Sequence, residues 1–171
     1  MTAFMICMLY VHSTLMAQNL SLPPSAPRML DRRFPGWKFA QVSQEIHQFF
    51  KSEMKGESPH LISGDFDGNG KPDYAVLIWH GHYLNDKGAP VGPKSFLVVF
   101  IEKRRGYRMH VIKDPEGEYL CLARKGTEDY DYEKQKEIRY VNDSIMTGIF
   151  EKGGSSYVFE KGRFRSFVSS D

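Results

Sequence analysis

Oxygen-bearing side chains recur at alternate residues in one short stretch of the chain. Asp65, Asp67 and Asn69 are followed by Asp73, with Gly70 and Lys71 between. Numbered from Asp65, side-chain oxygens fall at positions 1, 3, 5 and 9, glycine at 6 and the Lys71 carbonyl at 7. A hard cation such as Ca²⁺ takes about six to eight oxygens in flexible geometry, and loops that hold it need a sharp turn at the sixth position. Three carboxylates held this close repel one another, and a divalent ion relieves that repulsion. Without the ion the same crowding raises carboxylate pKa values. A metal-free turn is the competing reading, because Asn69-Gly70 is a strong hairpin signal by itself.

The stretch is not a complete EF-hand. Position 12 is Val76, where a bidentate Glu belongs, and the flanking residues have strand rather than helix character. Gly64-Asp65-Phe66-Asp67-Gly68-Asn69-Gly70-Lys71-Pro72-Asp73-Tyr74-Ala75-Val76 instead resembles the calcium loop of FG-GAP/VCBS repeats, D-x-[DN]-x-[DN]-G-x-x-D leading into an apolar strand. The resemblance covers about thirteen of 171 residues. It implies Asp65, Asp67, Asn69 and Asp73 as side-chain ligands, Lys71 as a carbonyl ligand and Ca²⁺ as the cofactor. It implies nothing about the rest of the fold. That family shows several copies in a propeller, whereas this chain has one, so it is more similar to small exported single-copy VCBS-like proteins of bacteria.

The elements that must position this loop follow from hydrophobic spacing. Phe39, Val42, Ile46, Phe49, Phe50 and Met54 trace one helical face over 37–54, after Pro35-Gly36 and before Lys55-Gly56. Tyr74 to Trp79 and Phe96 to Ile101 are continuous apolar runs, the signature of strands covered on both faces. Tyr107 to Ile112 is expected to pair with the second run across a turn at Arg104-Arg105-Gly106. Tyr119 to Leu122, Ile138 to Val141, Ile145 to Phe150, Ser156 to Phe159 and Phe164 to Val168 follow, divided by turn signals. The expectation is an α+β fold: one N-terminal amphipathic helix packed on a mostly antiparallel, hairpin-rich β-sheet.

Residues 1–17 carry no Asp, Glu, Lys or Arg and include an apolar run from Ala3 to Val11. They resemble an export signal cleaved after Ala17, although a basic start is missing and Leu15 is large for its place. Residues 18–34, with Pro23, Pro24 and Pro27, are expected to form an extended linker, and 35–171 a single domain. Removal of 1–17 takes Cys7 with it and leaves Cys121, so no internal disulfide forms.

Lys and Arg total 23 against 21 Asp and Glu, and this near balance disfavours a nucleic-acid partner. No run reaches the roughly 20 apolar residues that span a bilayer. His80 and His82 would face one side of an extended chain, but two ligands do not make a metal site. Lys103-Arg104-Arg105-Gly106-Tyr107-Arg108 is expected to be a solvated basic turn. Asp129-Tyr130-Asp131-Tyr132-Glu133 is expected to be a loop packed by its tyrosines, with a sugar- or protein-facing role as the alternative. No catalytic fingerprint is present. The expected function is therefore that of an exported, extracytoplasmic calcium-binding-type domain with a binding or structural role and an unknown protein or carbohydrate partner. The alternatives are an extracytoplasmic hydrolase, marked by a pocket with two carboxylates of shifted pKa, and an inhibitor of an exported enzyme, marked by a projecting loop.

Overall fold

Two long strands organise the chain. In a computed structural model that describes residues 20–55 and 57–170, β3 (Asp73–Leu84) pairs antiparallel with β4 (Pro90–Lys103), with Tyr74 opposite Phe100 and Leu77 opposite Leu97. Side chains alternate across a strand. Ala75, Leu77, Leu97, Val99 and Ile101 therefore belong to one buried cluster and Val76, Ile78, Val98 and Phe100 to another. Burial on both faces explains why these runs are apolar throughout. β5 (Gly106–Lys113) continues the sheet beyond β4, as expected. On the far edge of β3 lie β1 (Lys38–Phe39) and β2 (Leu61–Gly64), paired to successive parts of it.

A second antiparallel sheet has the order β11 (Arg163–Ser170), β10 (Gly153–Glu160), β9 (Ser144–Ile149), β6 (Tyr119–Ala123). It packs face to face on the first sheet. Leu120, Ile145 and Tyr157 from the second sheet share one core with Ile62, Phe66, Leu77, Leu97 and Val99. The outer face of the first sheet is covered by α1 (Ala26–Arg33), whose Ala26 and Leu30 join Phe34 against Val76, Ile78, Val98 and Phe100. The outer face of the second sheet is covered at two places. α2 (Gln44–Ser52) brings Ile46 and Phe50 onto Cys121. A hairpin of β7 (Glu128–Asp131) and β8 (Lys136–Arg139) lies nearer Ala123, Val158 and Phe167, with Tyr140 among them. Among the described residues no helix is long and apolar enough to cross a membrane.

The α+β class and the antiparallel sheets match the pattern-based expectation, but the helices do not. Helix over 37–54 shrinks to Gln44–Ser52. Ser43 is extended, at φ −65 and ψ 165, and its hydroxyl caps the helix by accepting from the Ile46 N–H at 3.3 Å. Lys38 and Phe39 are instead drawn into the sheet opposite Trp79 and Ile78. The three- and four-residue spacing of Phe39 and Val42 thus continues a helical rhythm across residues that are not helical.

The stretch 18–34 is not simply an extended linker, since α1 forms within it. Pro27 sits in the first turn of α1, where a missing N–H costs nothing, and the Pro23 carbonyl accepts the Ala26 N–H at 2.8 Å. The prolines start this helix. The export-signal expectation and Cys7 lie outside the described residues, while Cys121 is buried.

Candidate cation site

The acidic loop is the connection between β2 and β3, whose last pair is Gly64 opposite Asp73. It is pinned from within by Phe66, which is fully buried in the core shared by the two sheets. Asp65 and Asp67, on either side of Phe66 and beyond the end of β2, are only half-buried. Gly68 and Gly70 then fold the chain back, at φ +75 and +78, a region L side chains avoid.

Asp73 closes the loop and is fully buried. Its Oδ2 accepts the N–H groups of Phe66 at 2.9 Å and Asp67 at 3.3 Å, and its Oδ1 accepts the N–H of Glu102 at 2.7 Å. Burial pushes the Asp73 carboxyl up to about 6; the three backbone donors oppose that rise and the nearby Asp67 charge adds to it. Asp65 Oδ2 accepts the Gly70 N–H at 2.9 Å, while Asp65 Oδ1 is buried with no hydrogen-bond partner. Asp67 Oδ1 accepts the Asn69 N–H at 3.2 Å, and its Oδ2 is ion-paired with Lys103. One carboxylate oxygen from each of Asp65, Asp67 and Asp73 lies within 4.8 Å of the other two. Such a group of oxygens is compatible with a single hard cation.

The side chains of the other two expected ligands, Asn69 and Lys71, make contacts of their own. Asn69 is exposed; its Oδ1 accepts the Lys71 N–H at 2.8 Å and its Nδ2 donates to the Glu102 carbonyl at 3.2 Å. In this arrangement its side chain is committed to the loop and to β4. The Lys71 side chain reaches Glu102 at 3.0 Å.

Several residues of the site were not legible from local spacing. Asp143 Oδ2 accepts the Asp65 N–H at 3.2 Å, and Asn142 Nδ2 donates to the Phe66 carbonyl at 3.4 Å. Both come from the turn before β9, in the other sheet, so the loop is clamped between the sheets. Lys103 belongs to the stretch expected to be a solvated basic turn, yet it reaches Asp67. The β3–β4 register produces this, because Tyr74 opposite Phe100 brings residues 102 and 103 beside the loop.

Gly81 has φ +69 and lies within a register shift, so His80 and His82 do not follow simple strand alternation. His80 packs edge-on against Phe34 at 5.5 Å, and His82 is exposed. Residues 128–131 form a strand rather than a loop. Its two aspartates are the buried members: Asp129 accepts from Tyr140 and from Ser156, and Asp131 is fully buried beside Lys134.

No protein-family model, curated protein or solved structure matches this chain.

Proposed function

We propose that residues 65–73 are a calcium-type cation site and that the protein is an exported, extracytoplasmic domain with a binding or structural role. The carboxylate oxygens of Asp65, Asp67 and Asp73 gathered within 4.8 Å support this reading most strongly. The buried, unpartnered Asp65 Oδ1 supports it as well, since such an atom costs free energy unless something satisfies it. The remaining oxygens would come from the Lys71 carbonyl, from water, and from Asn69 if its amide rotates. The ion would serve a structural role, tying the β2–β3 loop to the turn of the opposite sheet. Extracellular calcium modules bind at about 10⁻⁴ to 10⁻³ M, which suits that role.

The reading is tested by calorimetric titration of the chain with Ca²⁺ beside Asp65→Ala and Asp73→Ala. Saturable binding in the parent and none in either variant is the expected result. Equal heats in all three would remove the site.

A second reading, an inhibitor of an exported enzyme, is favoured by one observation. Beyond Trp79 and Phe96 the ladder holds only β3 and β4 among the described residues; the arm is tied back to Asp114 through the Ser95 carbonyl and the Tyr83 hydroxyl, and it exposes Tyr83, Leu84 and Val91. An element of this shape is what an inhibitor would present to a partner.

A further inference from the structure

At the other end of the buried part of β3, six residues and about 20 Å of strand from Asp73, lies a cleft of about 240 Å³. Leu77 and Trp79 from β3 and Ser95 from β4 line one side. Residues 40–43, ahead of α2, line a second, and Gly117 and Glu118, ahead of β6, a third. That volume is below the roughly 300 Å³ at which sites for drug-sized ligands begin, so the occupant is small.

The walls are fixed by the main chain. Ala40 N–H donates to the Leu77 carbonyl at 3.0 Å, Asp114 N–H to the Ser95 carbonyl at 3.0 Å, and Glu118 N–H to the Gly148 carbonyl at 2.7 Å. Ser43 is held by its cap to Ile46. Gly117, at φ +139, leaves no room for a side chain, because a Cβ there would meet Thr147 at 2.6 Å. The backbone frame of the cleft is therefore formed before any ligand arrives, whereas the exposed Gln41 and Glu118 side chains are ordered only on binding.

Its polar groups point to the ligand class. The side chains of Gln41, Ser95, Glu118 and Trp79 make no hydrogen bond or ion pair among the described residues, although all four line the cleft. An indole offers a flat apolar face with a donor at its edge. An amide and a hydroxyl both donate and accept, and a carboxylate accepts. Apolar lining with a few convergent, uncommitted polar groups is the general form of a small-ligand site.

We propose that this cleft binds one ring of a neutral saccharide. The apolar face of the sugar ring lies on Trp79, and its hydroxyls donate to Glu118 and exchange hydrogen bonds with Gln41 and Ser95. The Glu118 charge disfavours acidic sugars. A simple cation over Trp79 would use Glu118 but leave Gln41 and Ser95 without a role. The inference goes beyond the cation site and stands without it.

The test is ligand-observed NMR and tryptophan fluorescence on the full chain, with neutral trisaccharides of glucose, galactose, mannose and N-acetylglucosamine. Trigalacturonate serves as the acidic probe and n-butylamine as the cationic one. Every titration is run both in Ca²⁺ and in chelator, so that failure of the cation site is read separately. At least one neutral trisaccharide is expected to bind, with trigalacturonate at least about tenfold weaker. Gln41→Ala and Glu118→Ala, both at exposed positions that leave folding intact, are each expected to weaken binding about tenfold. Binding of n-butylamine alone, of no neutral sugar, or of sugar equally well by both variants would overturn the proposal.

Discussion

The carboxylate of Asp143 accepts a hydrogen bond from the backbone N–H of Asp65 at 3.2 Å. The first residue of the acidic loop is thus held by a side chain from the opposite sheet. The same carboxylate accepts the Lys125 N–H at 2.9 Å and pairs with Arg124 at 3.3 Å. Replacing Asp143 with Ala takes the acceptor from the part-buried Asp65 N–H and leaves the exposed Lys125 N–H to water. The expected cost is about 1–3 kcal/mol, read from urea unfolding as a lower midpoint at unchanged slope. The loop is also expected to lose part of its cation affinity, since Asp65 loses its anchor. An unchanged midpoint would show that the clamp contributes nothing.

Lys103 places an ammonium on Asp67. It is a built-in counter-cation, and an incoming ion must displace it or share the oxygen. Lys103 is half-exposed, and ion pairs of that kind are worth about 0.2–1 kcal/mol. Lys103→Met is expected to tighten Ca²⁺ binding, by up to roughly fivefold at the upper end of that range. Titration calorimetry of the two proteins side by side checks this, and weaker binding in the variant would contradict it.

Gly64 tests the steric side of the clamp. A Cβ at this position would meet Leu122 Cδ1 at 2.9 Å, with Asp143 Oδ2 and the Phe66 ring each at 3.0 Å. These neighbours come from both sheets, so relief in one direction creates a clash in another. Gly64→Ala is expected to destabilise by about 1–3 kcal/mol, as overpacking does, and to lower Tm accordingly. A variant as stable as the parent would show that the sheets separate there at no cost.

His110 supplies a pH dependence remote from the acidic cluster's own ligands. It lies edge-on against Phe159 at 5.4 Å and Phe164 at 5.7 Å, and its Nε2 is buried without a partner. Burial, with the charges of Arg108 and Lys103, holds its pKa below the ordinary 6.5. The unfolded chain therefore takes up this proton before the folded one does. The stability contributed by neutral His110 is fully present above about pH 6.5 and is lost as pH falls through the lowered folded value. His110→Leu is expected to flatten the stability–pH curve below pH 6.5 and to be neutral or stabilising at pH 7, since it removes an unsatisfied buried atom. Parallel curves for the two proteins would contradict the assignment.

What the sequence could convey about the site was set by distance along the chain. Asp65, Asp67 and Asp73 were recognisable because their convergence needs only one short hairpin connection, and Gly70 because its positive φ is a local requirement. Lys103 and the Glu102 N–H depend on the β3–β4 register, and Asp143 on the packing of two sheets, none of which local spacing encodes. The same holds for the fold. β3 and β4 were legible from two runs apolar on both faces. α1 was not, because three prolines suggested extension where Pro27 in fact occupies the first helical turn. The span 37–54 misled because a two-residue strand and a helix share one apolar spacing.

The cation site itself is tested most directly by thermal unfolding of the full chain in Ca²⁺ and in chelator, beside Asp65→Ala and Asp73→Ala. At ten times Kd, Ca²⁺ adds about 1.4 kcal/mol, which corresponds to roughly 3–6 °C in Tm for a domain of this size. That rise is expected in the parent, with little or none in either variant. A parent Tm unchanged at about 10 mM Ca²⁺, ten times the upper Kd, would contradict the account and leave residues 65–73 as a turn held by Phe66, Asp73 and Asp143 alone.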